Sequence, residues 1–513
     1  MTDAAAAIAI ERPAARSGIG VRALVTALLG LFAFDNLLLL HFWGLPLAAT
    51  AGLAFLAASA IWLLCGRLEV GAKAVPAPAF LIAFAVSLAL LALGGEGRFF
   101  YANPDWQIRD AVLRDMATNP WPFAYDIRGS AYFLRAPLGT YLLPAMFGSH
   151  ADLALLLSNS LRLALLLTLA WQLFETTRER AIGLAVFLLF SGWDIVGTAV
   201  YSALGGHLSW DHIERWNFNY QYSSHVTQAF WVPQHAIAGW TCAAAFLLWR
   251  KGLVPIGVLA AAIPLVAIWS PLAIIGAVPF AAFAGVDALR RRTFDLKDIA
   301  VASLAVAVAL PALLYLKIDA ASVGMHLLPA NPIVWLLCML LEVVPFVWPL
   351  LRERGPAGLD RPVLWLILAL LLVMPLIQVG ASSDFQMRAS IMPLALLAYY
   401  FALWVCRLLE QKPVRRLCLS YAALALALGA ATPLLEVRRA LVDGPSPPPL
   451  CSLIGVWDKQ DGMIVPYSTY LAPVSALPRE LRDVPVTTGA SDPAKCWAGK
   501  WPVPAGTPSR DGN

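Results

Sequence analysis

Charge is what this chain has least of. Asp, Glu, Lys and Arg make up 13% of its 513 residues, while 60% are hydrophobic, and the mean hydropathy is +0.70. Soluble domains are about one-quarter charged, so a water-soluble enzyme, a disordered scaffold and a nucleic-acid binder are all excluded. The formal charge of +5 is then not a nucleic-acid signal, because in a membrane protein Lys and Arg chiefly set orientation. Cysteine is sparse as well. None of the seven makes a CxxC or Cys/His metal spacing, which argues against a structural zinc site. Cys65, Cys242, Cys338, Cys406 and Cys418 lie in or beside apolar runs and read as packing residues. Cys451 and Cys496 alone stand in a polar segment, and an oxidising outer compartment would let them pair. No internal repeat is visible, which weakens an inverted-repeat transporter. No clear small-residue cleavage site follows Arg12 and Arg16, so the first apolar run reads as a retained span rather than a signal peptide.

What the chain does have is apolar length. Crossing about 30 Å of hydrocarbon takes roughly 17–25 residues. About thirteen runs qualify or come close: 23–41, 45–64, 78–94, 152–174, 181–200, 236–249, 252–269, 271–288, 299–317, 333–351, 362–380, 390–406 and 417–434. The expected fold is an all-α integral membrane bundle of about thirteen transmembrane helices over 23–434. Residues 1–22 lie inside, the loops 95–151 and 201–235 outside, and 435–513 form a small outer tail. Lys and Arg test this map: 20 fall in the segments assigned to the inside, including Arg67, Lys73 and Arg354, and 8 in the opposite loops. That bias supports an N-terminus inside and a C-terminus outside.

The outer segments carry the polar chemistry. In 105–116, Trp106, Ile108, Val112, Leu113 and Met116 fall opposite Asp105, Arg109 and an Asp110/Arg114 pair, the pattern of an amphipathic helix at the membrane interface. Trp121, Phe123, Tyr125, Tyr132 and Phe133 follow as interface anchors. The run 137–149, broken by Pro144, is too short to span and reads as re-entrant or interfacial. A carboxylate in this region suits general-base work; Asp105, at the helix start beside Trp106, leads, with Asp110 as the second candidate and Asp115 in the same helix. The bland alternative is a salt-bridged surface helix.

A second cluster, 207–240, mixes aromatics with His207, Asp211, His212 and Glu214, and ends in Gln234 and His235 where the chain re-enters the membrane. Aromatic faces stack on sugar rings, although a belt of interface aromatics would look the same. In the short loop 382–393, Arg388 is suited to gripping two phosphate oxygens, or pairs locally with Asp384. Charges within spans are costly and mark working sites or internal pairs. Arg162 and Asp194 stand on consecutive spans and pair with each other or serve a site; Glu342 has no evident partner.

Taken together, an N-in, C-out bundle, a long early outer loop with Asp105 before an interfacial helix, and the following Pro/Gly run PLGTYLLPA resemble the GT-C superfamily of membrane glycosyltransferases. The family places its large loop after the first span, here after the third, and a paired acidic motif is replaced by Asp105 next to Trp106. The resemblance implies a polyprenyl-phosphate-linked sugar as donor and an envelope glycan, lipid or protein as acceptor. It implies Asp105 as the base, and Arg388, Arg109 and His235 as holders of the lipid phosphate. Gln234, Asp384 and Asp194 complete the candidate binding residues. The expected location is a bacterial-type cytoplasmic membrane, with the site facing outward among membrane lipids. No cofactor is called for, a divalent cation being left open. Two other functions stay in play: a flippase or transporter of a lipid-linked glycan, and a non-enzymatic envelope-assembly subunit. The topology predicts that cysteines introduced at Ser130, Ser223 and Ser475 label from outside; labelling from the cytoplasm alone would overturn it.

Overall fold

The computed structural model describes residues 18–66, 74–206, 212–217, 219–328, 331–353, 360–380, 383–459, 467–487, 496–497, 499 and 501. Arg12, Arg16, Arg67, Lys73, Arg354, His207 and Asp211 lie outside the described residues. Three helices open the chain: α1 (Val21–Phe42), α2 (Leu47–Leu64) and α3 (Ala77–Leu93). The first long connection holds α4 (Asp105–Thr118) and α5 (Gly139–Ala145), and α6 (Ala151–Ala170) follows. Next come α7 (Thr177–Leu189), α8 (Asp194–Ala203), α9 (His225–Trp231), α10 (Pro233–Arg250), α11 (Ile256–Leu265), α12 (Pro271–Arg291) and α13 (Leu296–Lys317). A π-helical turn at Met339–Val343 joins α14 (Pro332–Cys338) to α15 (Val344–Arg352). The remainder is α16 (Arg361–Val373), α17 (Asp384–Ala389), α18 (Ile391–Glu410), α19 (Arg416–Gly429), α20 (Ala431–Val442) and α21 (Leu453–Lys459).

Among the described residues nine continuous helical runs are long and apolar enough to cross a membrane, and three shorter apolar helices accompany them. The protein is therefore a membrane-embedded helical bundle. Local sequence explains the starts. Thr176 and Glu179 form a reciprocal capping box at α7, and Asp295 and Asp298 do so at α13. Proline stands in the first turn of α3, α10 and α12, where its missing N–H costs nothing.

Two breaks in the apolar rods face each other. Between α7 and α8 the chain passes through Ser191 and Gly192, and the backbone N–H of Trp193 donates to the Leu341 carbonyl in the π turn (3.0 Å). A Cβ on Gly192 would lie 1.6 Å from Glu342 Oε2, so the close approach requires glycine. Glu342, for which the sequence offered no partner, accepts from Trp216 Nε1 (2.9 Å).

The connections gather at two ends of the bundle. At the basic end, β1 (Gly18–Ile19) pairs with β2 (Val75–Pro76), Arg250 binds Asp287 (3.0 Å) and Asp360, and Arg415 binds Glu353 (2.9 Å). At the loop end, β3 (Ala124–Ile127) and β4 (Ser130–Leu134) form a hairpin. Its two-residue turn places Arg128 and Gly129 at φ 53° and 82°, the left-handed pair that tight hairpins need. Also at this end, β5 (Met325–Leu327) pairs with β6 (Ile377–Val379). The tail adds β7 (Leu471–Pro473) beside β4 and β8 (Val486–Thr487) beside β3, completing a four-stranded sheet. Cys451 and Cys496 are joined by a disulfide.

This sheet corrects two expectations. The tail is not a separate module but the second half of a domain begun in the first long connection. Phe123, Tyr125 and Phe133 are buried in that domain instead of anchoring a membrane surface. Likewise α4 does not lie bare at an interface: Arg109, Asp110 and Asp115 are buried along with Trp106 and Leu113, because α5, α6 and α21 cover it. Nor do Asp110 and Arg114 pair; Arg114 turns to Asp115 (3.3 Å). Of the labelling sites, Ser130 and Ser475 are exposed, whereas Ser223 is buried.

The expected Arg162–Asp194 alternative is corrected too. Arg162 points at α1, donating from Nη2 to both oxygens of Asp35 (2.6 and 2.7 Å), while Asp194 accepts from Ser191 (2.8 Å) and Thr432 (2.7 Å). Asp35 also accepts from Trp269 Nε1 (2.9 Å), and the Arg162 guanidinium lies 5.0 Å from the Trp269 ring centre. Removing one partner strands the other charge in the bundle. Asp35→Ala is expected to cost about 3–5 kcal/mol, read as a lower detergent-unfolding midpoint, and Asp35→Leu combined with Arg162→Met to recover most of it. A midpoint unmoved by Asp35→Ala would show that the pair does not hold the bundle.

Candidate functional site

At the loop end lies a cavity of about 710 Å³, within the 300–1,000 Å³ usual for small-molecule sites. Four connections and the tail line it. Asp105, Ile108 and Arg109 come from α4; His212, Tyr220 and Gln221 from the connection before α9; Gln234 and His235 from the start of α10; Asp384 and Arg388 from α17; Leu453, Trp457 and Tyr470 from the tail.

The start of α4 is stapled in place by two side chains that share one acceptor. Asn103 Nδ2 and Trp106 Nε1 each donate to the Phe230 carbonyl at 2.9 Å, at the end of α9. Asn103 Oδ1 in turn accepts from the Asp105 backbone N–H (3.1 Å). The far side of α4 is pinned at Asp115, which accepts from Tyr125 Oη (3.0 Å) and the Leu453 backbone N–H (2.7 Å). Between these pins, Asp105 and Arg109 face the cavity, with Arg109 Nη2 3.9 Å from Asp105 Oδ2.

Arg109 Nη1 donates to Gln234 Oε1 (2.6 Å), so α4 and α10 meet through a charged hydrogen bond. His235 Nδ1 shares a bond with Ser270 Oγ (2.8 Å), which leaves Nε2 for a ligand. Across the cavity Arg388 pairs with Asp384 (2.9 Å) and is hydrogen-bonded to Tyr470 of the tail. Its Nε is buried without a partner among the described residues, an unmet donor in a charged group.

Electrostatically, the cavity is lined by two carboxylates, Asp105 and Asp384, and three guanidiniums, those of Arg109, Arg215 and Arg388. The Asp105 side chain is 48% exposed, but to the cavity rather than to open water. Enclosure by protein raises its pKa above the usual carboxylate range; Arg109 pulls it down, Asp384 pushes it up, and Arg388 and His212 lower it. The arrangement can bind an anion through the guanidiniums and accept a proton beside it. A resident cation fits poorly. Each cavity carboxylate is already faced by an arginine, and among the described residues no group of three or more His, Cys, Asp or Glu is placed to hold a metal ion.

Six of the eight residues singled out in the sequence thus meet in one cavity: Asp105, Arg109, Gln234, His235, Asp384 and Arg388. The other two lie apart. Asp110 sits on the opposite face of α4, where the charges acting on it are those of Asp152, Arg98 and Arg109, and Asp194 belongs to the break between α7 and α8. Sequence reasoning misses Trp457 and Tyr470, because no local pattern places the tail against the cavity. The one available signal was the cysteine pair, which marks the tail as folded.

No family model, curated protein or solved structure matches the chain.

Asp110 and Glu96 generate a pH dependence. Burial pushes each up to about 8, from ordinary values of 3.8 and 4.5. The folded chain therefore holds more protons than the unfolded one across that interval, and stability falls as pH rises through it. The cost of ionising them is absent below about pH 4 and complete above about pH 8. The unfolding midpoint in detergent should drop from pH 4 to 8, and Asp110→Asn should flatten that drop; an equally steep drop in the variant would refute the assignment.

Proposed function

We propose that the protein is a membrane glycosyltransferase of the GT-C kind, moving a sugar from a polyprenyl-phosphate donor to a hydroxyl of an envelope glycan, lipid or protein. The observation that carries this reading is the convergence of Asp105, Arg109, Gln234, His235, Asp384 and Arg388 on one cavity at the mouth of an apolar bundle. A lipid-linked phosphate needs that combination: cationic donors for its oxygens, and hydrocarbon-facing helices alongside for its chain. The unmet Nε of Arg388 is the donor such an oxygen would satisfy.

In this reading the donor phosphate lies between Arg388 and Arg109, with His235 Nε2 as a further donor. Asp105 removes the proton of the acceptor hydroxyl as its oxygen bonds to the anomeric carbon. The bond from that carbon to the phosphate oxygen breaks, polyprenyl phosphate leaves, and the configuration inverts. Guanidiniums facing the phosphate stabilise the charge that grows on it as the bond breaks. The topology that goes with this mechanism has thirteen crossings, the N-terminus inside and the cavity outside. Its supports are the basic asymmetry of the sequence and the gathering of connections into two separate ends. The membrane would be a bacterial-type cytoplasmic membrane.

Purified protein incubated with a panel of polyprenyl-phosphate sugars should release polyprenyl phosphate. Asp105→Asn should cut turnover by about 10²–10⁴-fold, while Asp110→Asn, in the same helix but facing away from the cavity, retains it. Arg388→Lys keeps the charge but loses the two-pronged grip, so donor affinity should fall while the fold survives. Full activity in Asp105→Asn would remove it as the base, and unaltered donor affinity in Arg388→Ala would remove the phosphate assignment.

A further inference from the structure

A second hollow lies on the flank of the bundle, in its half nearer the basic end. It has a volume of about 380 Å³ and is lined by α3 and α6 on one side and α7 on the other, with α10 and α18 as its floor. Its walls are aliphatic, with Ile82 and Leu184 at the sides, and it reaches inward to Trp240 and Ala398, both buried in the bundle. Arg180 and Trp171 close it at the basic end.

Arg180 is held in an unusual way for a charged residue at such a place. Its guanidinium carbon lies 4.3 Å from the Trp171 ring centre, and Nε donates to the Trp171 carbonyl (3.3 Å). Among the described residues it has no carboxylate partner. The adjacent Glu179 acts on it through space but forms no ion pair with it, because its carboxylate turns back to accept from the backbone N–H groups of Glu175 (2.7 Å) and Thr176 (3.0 Å) at the start of α7. The guanidinium is thus held on Trp171 through Nε and the ring face, and among the described residues its two Nη groups make no hydrogen bond. From Arg180 to Phe187, at the inner end of the cleft, α7 rises about 10 Å at 1.5 Å per residue, within the roughly 15 Å of one leaflet's hydrocarbon.

An apolar slot of one leaflet's depth, with a fixed guanidinium at its membrane-surface end, matches one kind of occupant. We propose that this cleft binds a glycerophospholipid, one acyl chain lying between α3 and α7 and the phosphate held by Arg180. The donor of the proposed reaction is the wrong lipid for it. Gln234 and His235 mark the cavity end of α10 (Pro233–Arg250), and the helix rises about 23 Å from them to Arg250 at the opposite end at 1.5 Å per residue. A lipid whose phosphate reached Arg388 would not place that phosphate at Arg180. The site therefore stands independently of the catalytic reading.

The test uses full-length protein in nanodiscs with phosphatidylglycerol carrying a diazirine midway along one acyl chain. Photolabelling should map to peptides containing Ile82 and Leu184. Arg180→Ala should reduce that labelling about tenfold or more, the worth of a hydrogen bond to a charged group. Arg180→Lys should retain part of it, and Arg178→Ala, at the exposed neighbouring position, should leave it unchanged. Size-exclusion profile and unfolding midpoint confirm that each variant is folded. Labelling indifferent to Arg180→Ala, spread evenly over the bundle's apolar surface, or displaced by polyprenyl phosphate in preference to phospholipid would each overturn the proposal.

Discussion

A carboxylate and a guanidinium, both almost wholly withdrawn from solvent, hold the centre of this bundle: Asp35 is 0% and Arg162 1% exposed. Neither charge is tolerable alone at that depth, so α1 and α6 are obliged to face each other along one line. The consequence extends through Trp269, which donates to the same Asp35 and lies in the break between α11 and α12. Gly139 approaches that ring so closely that a Cβ would fall 2.2 Å from it, and its backbone N–H donates to the Ile268 carbonyl (3.0 Å). The next residue after Trp269 is Ser270, the partner of His235. One buried ion pair thereby sets the depth of α5 and the orientation of a cavity residue.

The cavity itself is built by covering. Taken alone, α4 has too many charges for a buried helix, yet Asp115 becomes a pin once Tyr125 and Leu453 donate to it. The disulfide between Cys451 and Cys496 closes a long stretch of the tail, which lowers the entropy that chain would otherwise lose on docking. With the tail in place, Tyr470 reaches Arg388 and the cavity gains its last wall. Site and tail are therefore one structure, although they are far apart in sequence.

Much of this was legible in the residues. The apolar runs mark the helical bundle because hydrophobic length is a strong signal, although among the described residues nine helical runs, not thirteen, are long and apolar enough to cross a membrane, with three shorter apolar helices beside them. Asp105, Arg109, Gln234, His235, Asp384 and Arg388 were legible one by one, as polar groups stranded beside apolar runs. What could not be read was relative placement. Helical periodicity says which residues share a face but not which helix the face meets, so Arg162 was offered Asp194 and found Asp35. The hairpin of β3 and β4 rests on left-handed conformations at Arg128 and Gly129, and arginine gives little warning of such a turn. The parallel pairing of β3 with β8 joins segments more than 350 residues apart, beyond any local pattern. Asp110 shows the reverse failure: a plausible base by residue type, it turns to the covered face of α4.

The charges of the cavity also constrain how anion binding and proton transfer would work together. Asp105 and Asp384 offset two of the three arginines that line the cavity, Arg109, Arg215 and Arg388, so an entering phosphate would meet donors and one uncompensated positive charge. Its own negative charge then acts on Asp105 as Asp384 already does, opposing ionisation and raising the affinity of that carboxylate for a proton. Enclosure strengthens the effect, because fewer waters screen it. In the proposed reaction the leaving phosphate gains charge as the sugar departs, so the pull of Asp105 on the acceptor's proton grows as bond breaking proceeds. In that proposed reaction proton acceptance and leaving-group departure would be coupled through space, with no contact required between the base and the phosphate, provided both lie in the same enclosed cavity.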